Sequence, residues 1–453
     1  MSARRIGSLD WRGNGEKGRG DLILRGARAF DPVAGIDAAH DIVIRGGEIA
    51  ELAACGSAKV SGAEVIDAEG LLAVPAFFDP HVHLREPGGE DAEDIETGSR
   101  AAAAGGYCGI IAMANTRPPV DTPQAIESLR ERAEGDATIP TGFVATVTRG
   151  MEGQELTDHA ELADAGAVGI SDDGVPIASA RVMRRALQYQ SLAGLQIALH
   201  EEDPELSGKG VMHEGEVSAV LGMDGVPSVS ESTMIARDCA LALYEGARIH
   251  VQHLSARESV EVVSAAKNAG VEITCEATPH HLLLTDEEVR SLDSRFKMNP
   301  SLRTEDDRQA LIEGVRSGVI DCIATDHAPH PADRKEVPFE QAALGVTGLE
   351  TAFAAIHTDL VLPGVLDLSK VIELLGSGAL AFGFERPTLA VGAEANVTLI
   401  DPELEWEAGA EGWESRSTNS SFAGRKLTGR TQITIAAGIV AYRQRSFAIG
   451  AAR

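Results

Sequence analysis

The sequence predicts an α/β protein: a (β/α)8 barrel of the TIM type with a small β-sandwich domain built from both chain ends. Three observations carry this expectation. The 453 residues exceed the usual single-domain size unless the fold is a large barrel. Through about 300 residues of the middle, apolar strand-like runs lead into Ala-rich, helix-like segments, the texture of successive βα units. Short alternating runs broken by Gly and Asp occupy both ends, the pattern of a small antiparallel sheet.

Residues 1–74 supply the first part of the sandwich, in the runs Leu22-Ile23-Leu24, Asp41-Ile42-Val43-Ile44, Glu48-Ile49-Ala50 and Glu64-Val65-Ile66. Residues 75–384 form the barrel, which opens on the apolar run 71–78, read as one fully buried strand. Within it, the run at 248–254 leads into a helix for which Ser255 and Glu258 have capping-box spacing. Residues 385–453 return to sheet texture in Ala395-Asn396-Val397-Thr398-Leu399-Ile400-Asp401 and Gln432-Ile433-Thr434-Ile435, completing the sandwich.

Composition narrows the function. The 40 basic and 69 acidic residues leave a net charge of −29, spread along the chain, which argues against nucleic acid or an anionic membrane as partner. Its plainest reading is a solvated surface. Five widely spaced cysteines (Cys55, Cys108, Cys239, Cys275, Cys322), with no Cys-x-x-Cys pair, read as reduced core residues and argue against a thiolate zinc site. Residues 1–21 lack an apolar signal region and no long uncharged span occurs, so the cytoplasm is the expected compartment.

The chemistry lies at the ends of the strand-like runs. Phe77-Phe78-Asp79-Pro80-His81-Val82-His83 sets two imidazoles at i and i+2, on one side of an extended strand, where both reach one metal ion. Later runs end in Asn115, in Asp172-Asp173, in His200-Glu201-Glu202-Asp203, in His253, in Thr278-Pro279-His280-His281 and in Asp326-His327. Each alone is an ordinary turn or cap residue. Together they gather at one pole of a barrel, the pole that carries barrel active sites. His81, His83, His200, His253, Asp326 and one of Asp172 and Asp173 suffice for two divalent ions, zinc by ligand type, with manganese or cobalt as substitutes. Mid-strand His250 reads as core or outward-facing, and His40, His159, His213 and His357 as structural. Two such ions activate a shared water and polarise a carbonyl, and a ligating carboxylate shuttles the proton, so the reaction class is amide or related hydrolysis with Asp326 as the shuttle.

The stretches His81-Val82-His83-Leu84-Arg85-Glu86-Pro87-Gly88-Gly89, Ala114-Asn115-Thr116-Arg117-Pro118, Ser171-Asp172-Asp173-Gly174, Thr278-Pro279-His280-His281-Leu282, Lys297-Met298-Asn299-Pro300-Ser301-Leu302-Arg303 and Ala324-Thr325-Asp326-His327-Ala328-Pro329-His330 resemble the type I dihydroorotases of the amidohydrolase superfamily. The likeness spans residues 71 to about 350, nearly the whole barrel. It implies zinc-dependent, reversible cyclisation of N-carbamoyl-L-aspartate to L-dihydroorotate in de novo pyrimidine (UMP) biosynthesis. It implies two zinc ions per subunit, one on His81, His83 and Asp326, the other on His200 and His253, bridged by Asp173 with Asp172 as the fallback. Other superfamily members bridge with a carbamylated lysine, and Asp-Asp-Gly in that place speaks for dihydroorotase over hydantoinase, dihydropyrimidinase and allantoinase.

Arg85, Asn115 and His330 resemble the group that grips the substrate carboxylate, and Asn299 with the backbone at Leu344 and Gly345 resembles contacts to the ring amide. Arg85 offers the planar fork a carboxylate needs, on the face of the metal ligands if the strand continues, and it equally suits a surface pairing with Glu86 or Asp79. The charged segment 331–345 reads either as a lid or as a plain surface loop. Ala114 stands where the family has proline, and 331–345 does not align residue by residue. The resemblance also implies a homo-oligomer and a complex with aspartate carbamoyltransferase, in which some relatives survive as inactive partners. All six ligands are kept here, so the expectation is an active enzyme.

Overall fold

The computed structural model describes residues 3–15, 20–445 and 447. Its centre is a parallel eight-stranded barrel: β1 (Phe77–Val82), β2 (Tyr107–Ala112), β3 (Thr141–Ala145), β4 (Gly169–Ile170), β5 (Gln196–Leu199), β6 (Arg248–Val251), β7 (Glu272–Ala277) and β8 (Cys322–Ile323). Neighbours pair in sequence order, and the ring closes where Val82 bridges His327 in parallel and the His83 N–H donates to the His327 carbonyl at 2.9 Å. Strand residues are buried on both faces because helices cover the outside, which is why the strands read as continuous apolar runs.

The covering helices are Ile95–Gly105, Pro123–Asp136, His159–Asp164, Ala180–Ala193, Val229–Glu245, Arg257–Asn268, Glu305–Ser317 and Leu368–Ala381, one after each strand in turn. Their limits have local causes. Asp94 and Thr97 close a capping box at the start of Ile95–Gly105, and Gly106 ends it in the left-handed conformation, φ 99°. Arg257–Asn268 starts later than its sequence signal. Ala256 takes the cap position, and the Ser255–Glu258 capping box does not form, because buried Glu231 captures both the Ser255 N–H and its hydroxyl.

The chain ends meet in a second eight-stranded sheet. Its order runs Ile439–Arg443, Lys426–Ala436, Val397–Glu407, Leu72–Pro75, Leu22–Asp31, Ile36–Arg45, Glu48–Ala53, with Glu64–Asp67 also paired to Leu22–Asp31. Leu24, Ile42, Ile44, Ile49, Val397, Leu399, Ile433 and Ile435 fill its core. Most pairings are antiparallel, but Glu64–Asp67 and Leu72–Pro75 run parallel to Leu22–Asp31. The run 71–78 is therefore two strands: Leu72–Pro75 belongs to the terminal sheet and Phe77–Val82 to the barrel, with Ala76 between. Ile6, Leu9 and Trp11 pack into the barrel core.

One connection of the terminal sheet reaches the barrel mouth. Residues 408–425 run as a strap along its β1–β8 side. The Glu414 and Ser415 N–H groups donate to Glu350, Ser415 Oγ and the Arg416 N–H to Glu93, and Ser417 Oγ to the Ala92 carbonyl at 2.7 Å. Among the described residues no helix is long and apolar enough to cross a membrane.

Candidate metal centre and substrate pocket

At the C-terminal ends of the barrel strands the structure brings together His81, His83, Asp173, His200, His253 and Asp326, none more than 5 % exposed. His81 sits on β1 and His83 just past its end; the others follow β4, β5, β6 and β8. Asp173 lies at their centre. Its Oδ1 is 3.6 Å from His81 Nε2, 3.6 Å from His253 Nε2 and 3.8 Å from His200 Nδ1, and its Oδ2 is 3.4 Å from His83 Nε2. Asp326 Oδ1 lies 3.0 Å from His83 Nε2 and 3.5 Å from His81 Nε2, and His200 Nδ1 is 2.9 Å from His253 Nε2. The backbone pays locally for this convergence: His253 (φ 30°) and Asp326 (φ 46°) both take left-handed conformations that bend them inward as their strands end.

Neighbouring Asp172 points away. It accepts from the Val147 N–H at 2.7 Å, the Thr148 N–H at 3.1 Å and the Thr148 hydroxyl, which uses its carboxylate fully. Of the two aspartates, Asp173 is the one that faces the histidines.

The outer ring nitrogens are engaged in a way that frees the inner ones. His83 Nδ1 is 2.9 Å from Asn115 Oδ1, an acceptor, so Nδ1 carries the proton and Nε2 turns its lone pair to the centre. His81 does the same, with Nδ1 at 2.5 Å from Glu276 Oε1. His81 Nε2 and Asp173 Oδ1 are buried with no hydrogen-bond partner. A buried carboxylate among imidazole lone pairs is unfavourable as it stands and is satisfied by a cation, so the donor set fits divalent metal ions. Without a cation, protons stand in its place. Burial alone would push Asp326 up, but His81, His83 and His253 outweigh it and hold the carboxyl at about 2. For His81, burial pulls downward and is overcome by Glu276, Asp173 and Asp326, which keep its basicity well above the ordinary imidazole value.

The other expected residues flank this centre. The strand does not continue to Arg85, since β1 ends at Val82 and Arg85 has φ 59°, yet its guanidinium still faces the pocket. Its Nε donates to the Pro329 carbonyl at 3.1 Å and an Nη lies 3.4 Å from His330 Nε2. The surface pairing with Glu86 or Asp79 is not formed: Glu86 pairs with Arg132, and Asp79 accepts from the His81 and Thr325 N–H groups. Burial lowers the Arg85 guanidinium to about 10, with Asp326, Asp173 and Glu93 opposing, so it remains a cation at neutral pH. Burial and Arg85 lower His330 to about 3, and its neutral ring donates from Nε2 to the Leu344 carbonyl at 2.7 Å. Arg85, Asn115 and His330 line one open cavity with Gly89, Arg117 and Arg334.

Asn299 lies 3.3 Å from His200 Nε2 through its amide nitrogen. The backbone expected to meet the substrate ring is occupied within the protein: the Gly345 N–H donates to the Lys297 carbonyl, and the Gly345 carbonyl accepts from Lys335 Nζ and Asn419 Nδ2.

Sequence reasoning missed three residues that shape the site. Glu276 carries a signal in hindsight, an acid inside the apolar strand Ile273-Thr274-Cys275-Glu276-Ala277. Gln252, 3.2 Å from His81 Nδ1, sits beside a proposed ligand. Asn419 has no sequence signal. It lies in the strap, accepts from the His330 N–H at 3.1 Å and donates to the Ala328 and Gly345 carbonyls, tying together the two ends of the segment that forms one wall of the pocket.

A family model described as Dihydro-orotase-like matches residues 70–259. The dihydroorotase of Geobacter sp. (strain M21) is 44 % identical over 423 residues, covering 93 % of this chain and 99 % of that protein. That of Anaeromyxobacter dehalogenans (strain 2CP-C) is 42 % identical over 426 residues, 93 % and 98 % of the two chains. Among solved structures, L-hydantoinase (dihydropyrimidinase) from Arthrobacter aurescens superposes with a TM-score of 0.82 at 25 % identity, over 93 % of this chain and 95 % of that one.

Proposed function

The chain belongs to the dihydroorotase family, and from that premise we propose that it is an active dihydroorotase. It interconverts L-dihydroorotate and N-carbamoyl-L-aspartate, as a step of pyrimidine biosynthesis, with two divalent cations, zinc by ligand type. The observation that carries this reading is the Asp173 carboxylate centred among four imidazoles, with Asp326 against two of them. His81, His83 and Asp326 would hold one cation and His200 and His253 the other, with the Asp173 carboxylate between the two groups. When bound, such cations supply Lewis-acid activation of a water and of the scissile carbonyl.

The rest is work for side chains. Arg85 sets a planar cation against the substrate carboxylate. Asn115, its carbonyl oxygen already held by His83, has its NH2 left to donate to the same group. His330, neutral, would join the grip by turning its Nε2–H from the Leu344 carbonyl to the substrate, adding no charge. In hydrolysis, water oxygen adds to the ring carbonyl carbon, Asp326 accepts the water proton on a carboxylate oxygen, and the C–N bond breaks as Asp326 returns that proton to the leaving ring nitrogen. Ring closure runs the same transfers in reverse.

The test is dihydroorotate hydrolysis with zinc content measured in parallel. Asp326→Asn should lower turnover by about 100-fold or more, the usual contribution of a general base. Full activity in Asp326→Asn would refute its role as shuttle. Turnover of hydantoin or allantoin with none of dihydroorotate would move the enzyme to another branch of the superfamily. Protein with neither zinc nor turnover would be a noncatalytic partner, such as a scaffold for aspartate carbamoyltransferase.

A further inference from the structure

We propose that Glu276 is the positioning residue of this centre: one carboxylate beneath it orients His81 through its side chain and His253 through its backbone, and His250 holds that carboxylate in place. Glu276 lies on β7, fully buried. Its ion-pair partners among the described residues are His81 and His250, with no lysine or arginine. A buried carboxylate without a permanent cation is costly unless hydrogen bonds fill its lone pairs, and here each has a distinct task.

Oε1 accepts from His81 Nδ1 at 2.5 Å and from the His253 N–H at 3.1 Å. The first contact fixes the His81 tautomer, so that Nε2 faces Asp173 and Asp326 with its lone pair free. An imidazole whose N–H donates to a carboxylate is also the more basic donor at its other nitrogen. The second contact pins the backbone of His253 in its left-handed conformation, φ 30°, the turn that brings its Nε2 to 3.6 Å from Asp173. Oε2 faces His250 Nε2 at 3.1 Å, and His250 Nδ1 lies 2.8 Å from Thr274 Oγ1. His250 is itself buried, its ring edge-on to Phe382 at 5.7 Å between centroids. The chain Thr274–His250–Glu276–His81 thus runs from the strand interior to the centre. His250 looks like an ordinary core histidine because its contact with the site passes through Glu276.

The inference rests on the metal reading above, and its test separates the two. Zinc affinity of the full-length protein is measured by competition with a chromogenic chelator, beside the visible spectrum of the cobalt-loaded form. Glu276→Gln keeps the shape and an acceptor oxygen but removes the charge. It should bind zinc about 10- to 100-fold more weakly and shift the cobalt bands, while the metal-free protein melts as wild type does. A purely structural role would instead lower the melting temperature and leave affinity and spectrum unchanged. If Glu276→Gln does not fold, Glu276→Asp carries the test, since it keeps the buried charge but withdraws its reach, and affinity should again fall. Wild-type affinity in the folded variant would overturn the proposal alone. Wild-type protein that takes up no zinc would overturn the metal reading and this inference with it.

Discussion

Two adjacent aspartates show how much one residue's surroundings decide. Asp172 and Asp173 follow the same strand, yet the first is consumed by Val147 and Thr148 of the neighbouring loop and the second is left to the four histidines. Asp172→Ala should cost about 1–3 kcal/mol of folding stability, because two buried N–H groups lose their acceptor, with zinc content unchanged. Asp173→Ala should behave oppositely: a folded protein, read by circular dichroism, that no longer retains two equivalents of zinc. The pair was not separable in the sequence, since which neighbour turns outward is set by Thr148, more than twenty positions away along the chain. The His81-x-His83 pair was legible, because strand period alone aims both rings one way. Glu276 was overlooked for the converse reason: an acid in a strand says nothing of its direction until its neighbours are placed.

At the scale of elements, the barrel strands and helices follow from alternation of apolar runs with amphipathic ones, and the proposed ligands from where those runs stop. The strap 408–425 had no such signature, since it owes its place to contacts with Glu93 and Glu350 rather than to any pattern of its own. Glu350 makes the strap sensitive to pH. Burial, with Glu414 and Glu93 nearby, raises its carboxyl to about 7, although the Glu414 and Ser415 N–H groups pull the other way. Its pKa is higher folded than unfolded, so the native state binds the extra proton. Stability is fully present below the ordinary glutamate value and lost as pH rises through about 7, by at most roughly 3 kcal/mol. Unfolding free energy measured from pH 5 to pH 8 should therefore decline in wild type more steeply than in Glu350→Gln; equal slopes would show that Glu350 stays ionised. The neighbouring segment 331–345 is clasped by Lys335, whose Nζ donates to the carbonyls of Lys297, Ala343 and Gly345 at 2.8–3.1 Å. Lys335→Met should free it, raising KM for dihydroorotate more than it lowers kcat, in steady-state kinetics.

For the whole molecule, the sequence texture marked both ends as sheet, but it hid the handover inside residues 71–78, because a buried strand of one sheet and a buried strand of the next look alike with only Ala76 between them. That handover joins Leu72–Pro75 to Val397–Glu407, so the first and last parts of the chain close one sheet. The order of synthesis gives this arrangement a temporal meaning. All six proposed ligands leave the ribosome before Val397, and the strap that braces their rim, with Asn419 in it, follows later still. A nascent chain therefore holds a full set of metal donors while its rim is open and its terminal sheet lacks its last three strands. Chains arrested near residue 395 should remain sensitive to protease, and resistance should appear only once the segment through Arg443 has emerged. On the proposed metal reading, translation itself would set uptake of the ions ahead of completion of the rim.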